Sequence, residues 1–438
     1  MHGWIPITVQ LLTAAVVIAA VGWRTRRWRL LWLPWAALVG AALAACVYWY
    51  VDAQGLAGNP APNSLWVWVA LFGASAAVLV AGWRRNPWWR RGASLLAVPM
   101  CLLCAALALN LWVGYFPTVL TAWNQLTAGP LPDQVDAVTI TAMQKQGRIP
   151  VKGTVVPVQI ANSASGFRHR EELVYLPPAW YATNPPPHLP TVMMVGGEFN
   201  TPADWARTGN AIKIVDDFAA AHHGNAPVLV FVDPGGTFNN DTECVNGSRG
   251  NSADHLTKDV VPYMESHFGV SPAAANWGIV GWSMGGTCAV DLTVMHPELF
   301  SAFEDIAGDL TPNSGNKAQT ISRLFGGSTA AWDSFDPTTV INRHGPYRGV
   351  AGWFDVNGTG TAPNEQAAAA NSLCALGSAK GISCAVVSQP GKHDWPFATQ
   401  AFSAALPWLA GQIGTPSAPV TGLPTAPTSA AYIQTAAK

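Results

Sequence analysis

Ser283 stands in Gly281-Trp282-Ser283-Met284-Gly285-Gly286, a stretch of this 438-residue chain whose residue types read directly as chemistry. A serine hydroxyl becomes a nucleophile when a neighbouring base takes its proton and the backbone holds it clear of the surrounding side chains. Small residues two before and two after the serine allow the sharp turn that does this. Five residues of this pattern recur by chance, so the weight falls on the flanks. Trp277-Gly-Ile-Val280 reads as a buried strand, and Thr287-Cys-Ala-Val-Asp-Leu-Thr293 reads as a helix start. A strand–turn–helix setting lifts the hydroxyl above the sheet edge and turns the amide of Met284 toward a developing oxyanion. The plainer alternative is a glycine-rich turn that only caps a helix.

Such a nucleophile needs a base, and in this chain order the base follows late, after an acid. His393 sits in Gln389-Pro-Gly-Lys-His393-Asp-Trp395, a turn directly after the last candidate strand. Other histidines fit quieter roles. His296 ends the helix after Ser283, His222 and His223 lie on a loop, and His344 precedes a Gly-Pro turn.

The elements that must position these residues follow from periodicity. Gly153–Ile160 and Glu171–Tyr175 read as early strands on either side of the turn-like Asn162–Gly166. Short apolar runs at Pro190–Val195, Pro227–Val232, Trp277–Val280, Ser301–Ile306, Val350–Val356 and Ser383–Val387 read as buried parallel strands. Helical patterns lie between them at Ala203–Ala221, His255–His267, Thr287–Met295, Glu365–Leu376 and Phe397–Ile413. Strands alternating with helices predict an α/β fold, a mostly parallel sheet covered on both faces. The chain from Gly414 to Lys438 is rich in Pro, Ala, Thr and Ser with a single Lys, and reads as a disordered tail.

The first quarter of the chain has a different character. Overall 50% of residues are hydrophobic and only 11% charged, less than half the share usual in soluble domains. That balance excludes a disordered or nucleic-acid-binding chain. Four apolar stretches, Trp4–Trp23, Leu30–Tyr50, Leu65–Trp83 and Ala93–Phe116, are each long enough to cross a bilayer. Residues 1–116 hold eight Arg, no Lys and one acid, Asp52. All eight arginines fall in the loops Arg24–Arg29 and Arg84–Arg91, and the positive-inside rule puts both in the cytoplasm. Met1 and everything beyond Phe116 are then expected outside. Trp4, Trp23, Trp28, Trp83, Trp88 and Trp89 flank the spans, where indole favours the headgroup boundary. The spans carry no acid, Lys or His and read as an anchor rather than a transport path. The expected organisation is an anchor over 1–116, a juxtamembrane linker over 117–147, a catalytic domain over 148–413 and a tail over 414–438.

With these residues in place, the chain resembles the esterase family of α/β-hydrolases that includes S-formylglutathione hydrolases, feruloyl esterases and mycobacterial mycolyltransferases. The matching pieces are Leu173-Val-Tyr-Leu-Pro-Pro178, Val195-Gly-Gly197, Gly281–Gly286, His296-Pro-Glu-Leu-Phe300 and Gly391-Lys-His-Asp-Trp395, with Leu406-Pro-Trp-Leu409 after them. The resemblance implies an α/β-hydrolase fold and an extracytoplasmic serine esterase of the actinobacterial cell envelope, or an acyltransferase using the same acyl-enzyme. It implies a second oxyanion donor at the backbone amide of Glu198. It also implies an acid about 30 residues before the histidine, and here the sequence departs from the family. Asn357–Asn364 holds no acid. Glu365, on the next helix, is similar in place to a Glu of the mycolyltransferases and is preferred to Asp355 inside the preceding strand, with Asp309 a third option. A non-catalytic envelope-binding protein on the same fold is the reading from another class.

Cys46, Cys101 and Cys104 fall in the spans, and Cys244, Cys288, Cys374 and Cys384 beyond them. An even number in an oxidising compartment invites disulfides, with Cys374 near enough to Cys384 to pair and Cys244 left for Cys288. No cluster has metal-ligand spacing and no nucleotide motif appears, so no metal or cofactor is expected. The expected partners are the lipid bilayer and an ester or glycolipid substrate, and oligomeric state is left open.

Overall fold

The computed structural model describes residues 4–424 apart from 23–24, 56–60, 85, 114, 117, 128, 130, 132 and 359–363. Of the residues discussed above, Met1, Trp23, Arg24, Arg85, part of the acid-free window at 357–364 and the tail from 425 lie outside the described residues. The chain divides into two compact units, Met1–Leu126 and Thr127–Lys438.

The first unit is helical. Its helices are α1 (Trp4–Val21), α2 (Leu33–Gln54), α3 (Asn63–Gly82), α4 (Trp88–Val113) and α5 (Val119–Leu126), with a π-helical turn at Trp28–Trp32 before α2. Four are long and apolar enough to cross a membrane. Large apolar side chains such as Trp4, Leu38, Val80 and Leu96 point outward, as they do where lipid is the solvent. Inside, small residues bring the backbones together. A Cβ on Gly40 would lie 2.2 Å from the Ala70 carbonyl oxygen, so α2 and α3 meet there only through glycine. Cys104 Sγ donates to Thr13 Oγ1 at 3.2 Å, a polar contact between α4 and α1.

The second unit carries β1 (Thr154–Val158), β2 (Glu172–Leu176), β3 (Thr191–Val195), β4 (Val228–Val232), the small hairpin β5 (Asn246–Gly247) and β6 (Gly250–Asn251), β7 (Trp277–Trp282), β8 (Ala302–Ile306), β9 (Ala351–Asn357) and β10 (Ser383–Gln389). The main sheet runs β1-β2-β4-β3-β7-β8-β9-β10. β1, β2 and β4 pair antiparallel, and the six strands from β4 to β10 are parallel. Each strand named from sequence is present within two residues of its expected ends. The central ones, such as Thr-Val-Met-Met-Val in β3, are buried on both faces because helices cover both.

Those helices are α6 (Ala137–Lys145), α7 (Pro202–Arg207), α8 (Ala211–Ala221), α9 (Ser252–Asp254) leading through a π-helical turn (His255–Val260) into α10 (Val261–Phe268), α11 (Met284–Met295), α12 (Lys317–Phe325), α13 (Thr329–Asp333), α14 (Pro337–Arg343), α15 (Glu365–Ala379) and α16 (Trp395–Gln412). Among the features that differ from the sequence expectation, three lie in segments it named. The helix at Ala203–Ala221 is two, because Asn210 adopts a left-handed conformation after Gly209. The segment read as a linker contains α5 in the first unit, and α6 packs Ile140 and Met143 into the second unit's core. The start of the expected tail is ordered against the sheet, with the Thr415 amide donating to the Ala410 carbonyl at 2.8 Å and Leu423 on the core.

Candidate active site

β7 ends at Trp282 and α11 begins at Met284, so one residue makes the turn between them. That residue is Ser283, held at φ +59° and ψ −121°, a strained conformation for a residue with a side chain. Its amide donates to the Ile306 carbonyl of β8 at 2.9 Å, and its carbonyl accepts from Gly286 at 2.8 Å. The flanking glycines are steric necessities. A Cβ on Gly281 would sit 1.6 Å from the Gly285 carbonyl oxygen, and one on Gly285 would sit 2.4 Å from that of Val195.

His393 reaches the hydroxyl from the other side. β10 stops at Gln389, and Asp394 caps α16 by accepting from the Phe397 amide at 3.2 Å, which fixes the turn between them. The imidazole Nε2 lies 2.9 Å from Ser283 Oγ. Its ring packs over Trp282 with centroids 4.3 Å apart. Burial against that indole pushes the imidazole down to about 4, so it is neutral and able to accept a proton at ordinary pH.

The loop after β3 closes the third side. A Cβ on Gly197 would lie 3.1 Å from Ser283 Cβ, so the glycine lets this loop touch Ser283. Asn200 shapes the loop by accepting the Gly197 amide on Oδ1 at 2.8 Å, and its carbonyl takes Arg170 Nη2 at 2.7 Å. Glu198 is half-buried in this loop, and Met284 is the buried first residue of α11.

The structure thus brings Ser283 and His393 together but brings neither expected acid to the imidazole. Among the described residues no carboxylate forms an ion pair or hydrogen bond with His393. Asp355 is wholly buried in β9 and accepts Gln389 Nε2 at 2.6 Å. Burial raises its carboxyl, with Gln389 opposing, and burial with Asp355 beside it raises that of Glu304 well above the usual range. Glu365 is exposed at the first position of α15, where its charge adds to the burial that raises Asp309. Asp309 accepts from Asn313 at 2.9 Å instead. The residue facing His393 Nδ1 is Gln366, whose amide Nε2 is 3.5 Å away. Exchanging the two amide positions of Gln366 would give Nδ1–H an acceptor. Sequence reasoning passed over Gln366 because it weighed only carboxylates; its place beside Glu365 in a first helical turn was the available signal.

Both expected disulfides are present. Cys244–Cys288 ties the loop after β4 to α11, and Cys374–Cys384 ties α15 to β10. Cys46, Cys101 and Cys104 are free thiols.

Comparison with known proteins agrees with this architecture. Residues 163–409 match the family model described as "Putative esterase". An uncharacterised protein of Corynebacterium glutamicum is 29% identical over 425 residues, 93% of this chain and 95% of its own, an alignment long enough to include both units. A ferulic acid esterase structure aligns with a TM-score of 0.50 at 18% identity, over 60% of this chain and 99% of its own. An S-formylglutathione hydrolase from Agrobacterium tumefaciens aligns at 0.49 and 18% identity, over 60% and 97%. The shared part is the α/β-hydrolase fold of the second unit.

Proposed function

Since the chain belongs to this esterase family and is an enzyme acting on ester bonds, we propose that it is a membrane-anchored serine esterase working outside the cytoplasmic membrane. The observation that carries the reading is the 2.9 Å approach of His393 Nε2 to Ser283 Oγ on a strained elbow. His393 takes the hydroxyl proton as Ser283 attacks the ester carbonyl carbon. The amides of Met284 and Glu198 hold the oxyanion, and the alcohol leaves with the proton from His393. Water, deprotonated by the same imidazole, then releases the acid from the acyl-enzyme. A sugar hydroxyl of an envelope glycolipid in place of water would make the same machinery an acyltransferase. The acid or amide on Nδ1 comes from the first turn of α15, and the closeness of Gln366 favours Glu365 over Asp355. The arginine-rich loops support an orientation with the second unit outside.

A fluorophosphonate that cannot cross membranes, applied to intact cells expressing the chain, tests nucleophile and sidedness together. Wild type is expected to label and Ser283→Ala is not, with ester turnover falling by about five to six orders of magnitude. No labelling of folded wild type, in intact cells or after lysis, would leave a binding protein on a hydrolase fold. Labelling only after lysis would reverse the orientation.

A further inference from the structure

Between the segment leading into β2 and the π-helical turn before α10, four ionisable side chains meet in the interior. Glu172 and His255 are wholly buried, and His169 and Asp259 nearly so. The rings of His169 and His255 stack with centroids 4.2 Å apart and planes 20° from parallel. His255 directs Nδ1 at Asp259 Oδ2, 3.3 Å away, and Nε2 at Glu172 Oε1, 3.1 Å away. His169 directs Nε2 at the Ile160 carbonyl and Nδ1 at the Arg170 carbonyl, each at 2.8 Å. The same Nδ1 is 3.7 Å from Glu172 Oε2, which is buried without a hydrogen-bond partner.

A neutral imidazole has one N–H to give. If His255 gives its own to Asp259 and His169 gives its own to Ile160, the remaining two nitrogens turn lone pairs toward oxygens. Lone pair against oxygen is repulsive, so positive charge must lie between them. Two extra protons would supply it, at the cost of two imidazolium rings stacked face to face in the core. One divalent ion supplies the same charge on the same atoms without that repulsion. The candidate ligand atoms of His169, Glu172 and His255 all lie within 4.8 Å of one another, and one ion would draw them together by turning the two rings out of their stack. The second nitrogen of each histidine is already anchored by an oxygen, as the outer shell of a metal site requires. The charge also closes. Glu172, Asp259 and Asp233 bring three carboxylates, and Arg170, paired to Asp233 at 2.6 Å, brings one cation. The remaining two negative charges match a divalent ion.

We propose that His169, Glu172 and His255 form a buried site for one divalent transition-metal ion, of the zinc class by its two-imidazole, one-carboxylate donor set. The ligands come from two segments 83 residues apart between Glu172 and His255, so no sequence spacing announces the site. With so little access from solvent, the ion enters during folding and is held afterwards. It would join the approach to β2 to the helix after the β5–β6 hairpin. Glu172 Oε1 also accepts the Asp233 amide at 3.0 Å, and Arg170 continues from Asp233 to the Asn200 carbonyl. The site therefore underlies the loop that touches Ser283.

The test is elemental analysis of the full-length chain, purified in detergent through a tag without histidines. Wild type is expected to carry about one zinc, and Glu172→Gln and His255→Gln to carry none. Protein from cobalt-supplemented cells, which does not depend on the variants folding, is expected to show visible ligand-field absorption without thiolate charge-transfer bands. Thiolate bands, or metal retained in both variants, would put the ion elsewhere and overturn the proposal. So would wild type that melts cooperatively, contains no stoichiometric metal and is unchanged when refolded with zinc; the cluster would then be filled by protons.

Discussion

At the level of single residues, the least usual feature is an imidazole that touches the Ser283 hydroxyl yet has an amide, not a carboxylate, at its other nitrogen. A paired carboxylate would hold the imidazolium and lift its pKa. Burial over Trp282 acts alone here and lowers it to about 4. The acid limb of kcat/KM is therefore expected near pH 4 rather than near the ordinary 6.5 of histidine, measured as a pH–rate profile on a simple ester. The same shift has a stability sign. Between those two pH values the unfolded chain binds a proton that native His393 refuses. Its contribution is full above 6.5 and is lost as pH falls toward 4. Glu365→Gln and Gln366→Leu separate the candidate partners of Nδ1. Loss of kcat by about 10²-fold or more in one of them, with KM little changed, identifies the residue that orients the ring. Asp355→Asn is expected to leave kcat near wild type, because its carboxylate is engaged by Gln389. Ser283 and His393 were legible because a five-residue motif and a strand-end turn carry them. The partner of Nδ1 was not, because an amide and a carboxylate in one helical turn look alike until the ring is placed.

Among the elements, β8 is the odd one, carrying Glu304 and Asp305 inside a fully buried strand. Alternation sends them to opposite faces of the sheet. Asp305 accepts the Gly308 amide at 2.7 Å and helps shape the turn beside the elbow, while Glu304 faces Asp355. Burial raises all three carboxyls, and that of Asp305 reaches about 7. Native protein thus keeps protons that the unfolded chain gives up near 3.8 to 4.5, and these groups cost stability as pH rises toward 7. Glu304→Gln removes one such cost. Its melting temperature is expected to exceed wild type at pH 8 and to approach it only at pH 4 or below, read by thermal denaturation of the two proteins side by side. A gain that does not change with pH would mean packing, not ionisation, is responsible. The strands themselves were legible because each is a short apolar run closed by turn residues. Helices α12, α13 and α14 show no period in the sequence, since five to nine residues give too few turns to display one.

Taken whole, the chain joins a cationic helical unit to an acidic α/β unit, and the charge asymmetry readable in its composition coincides with the boundary at Leu126. If the arginine loops lie inside, protease added to intact cells is expected to remove the second unit and leave the first in the membrane, followed by antibodies to each end. A second unit protected until lysis would contradict that orientation. The fold class was visible from alternating strands and helices. The four long apolar helices were visible because apolar runs of about 20 residues are long for any other use. What no linear reading could supply was the meeting of His169 and Glu172 with His255, which exists only once β2 and α10 are packed.

The strand order also governs how the molecule is made. β3 lies between β4 and β7, and Thr191 is in register with Trp277, so the sheet's middle closes only after a long stretch of chain has been delivered. Contacts so distant in sequence make folding slow, because loop-closure entropy is spent before the pairing that offsets it. The helical unit is synthesised first and can be in the bilayer while the sheet is still incomplete. Ser283 must wait longer, since its amide hangs on Ile306 of the strand that follows. On the proposed reading, the nascent chain would be tethered before it could act, and the turn that holds Ser283 is complete only after β8 has arrived.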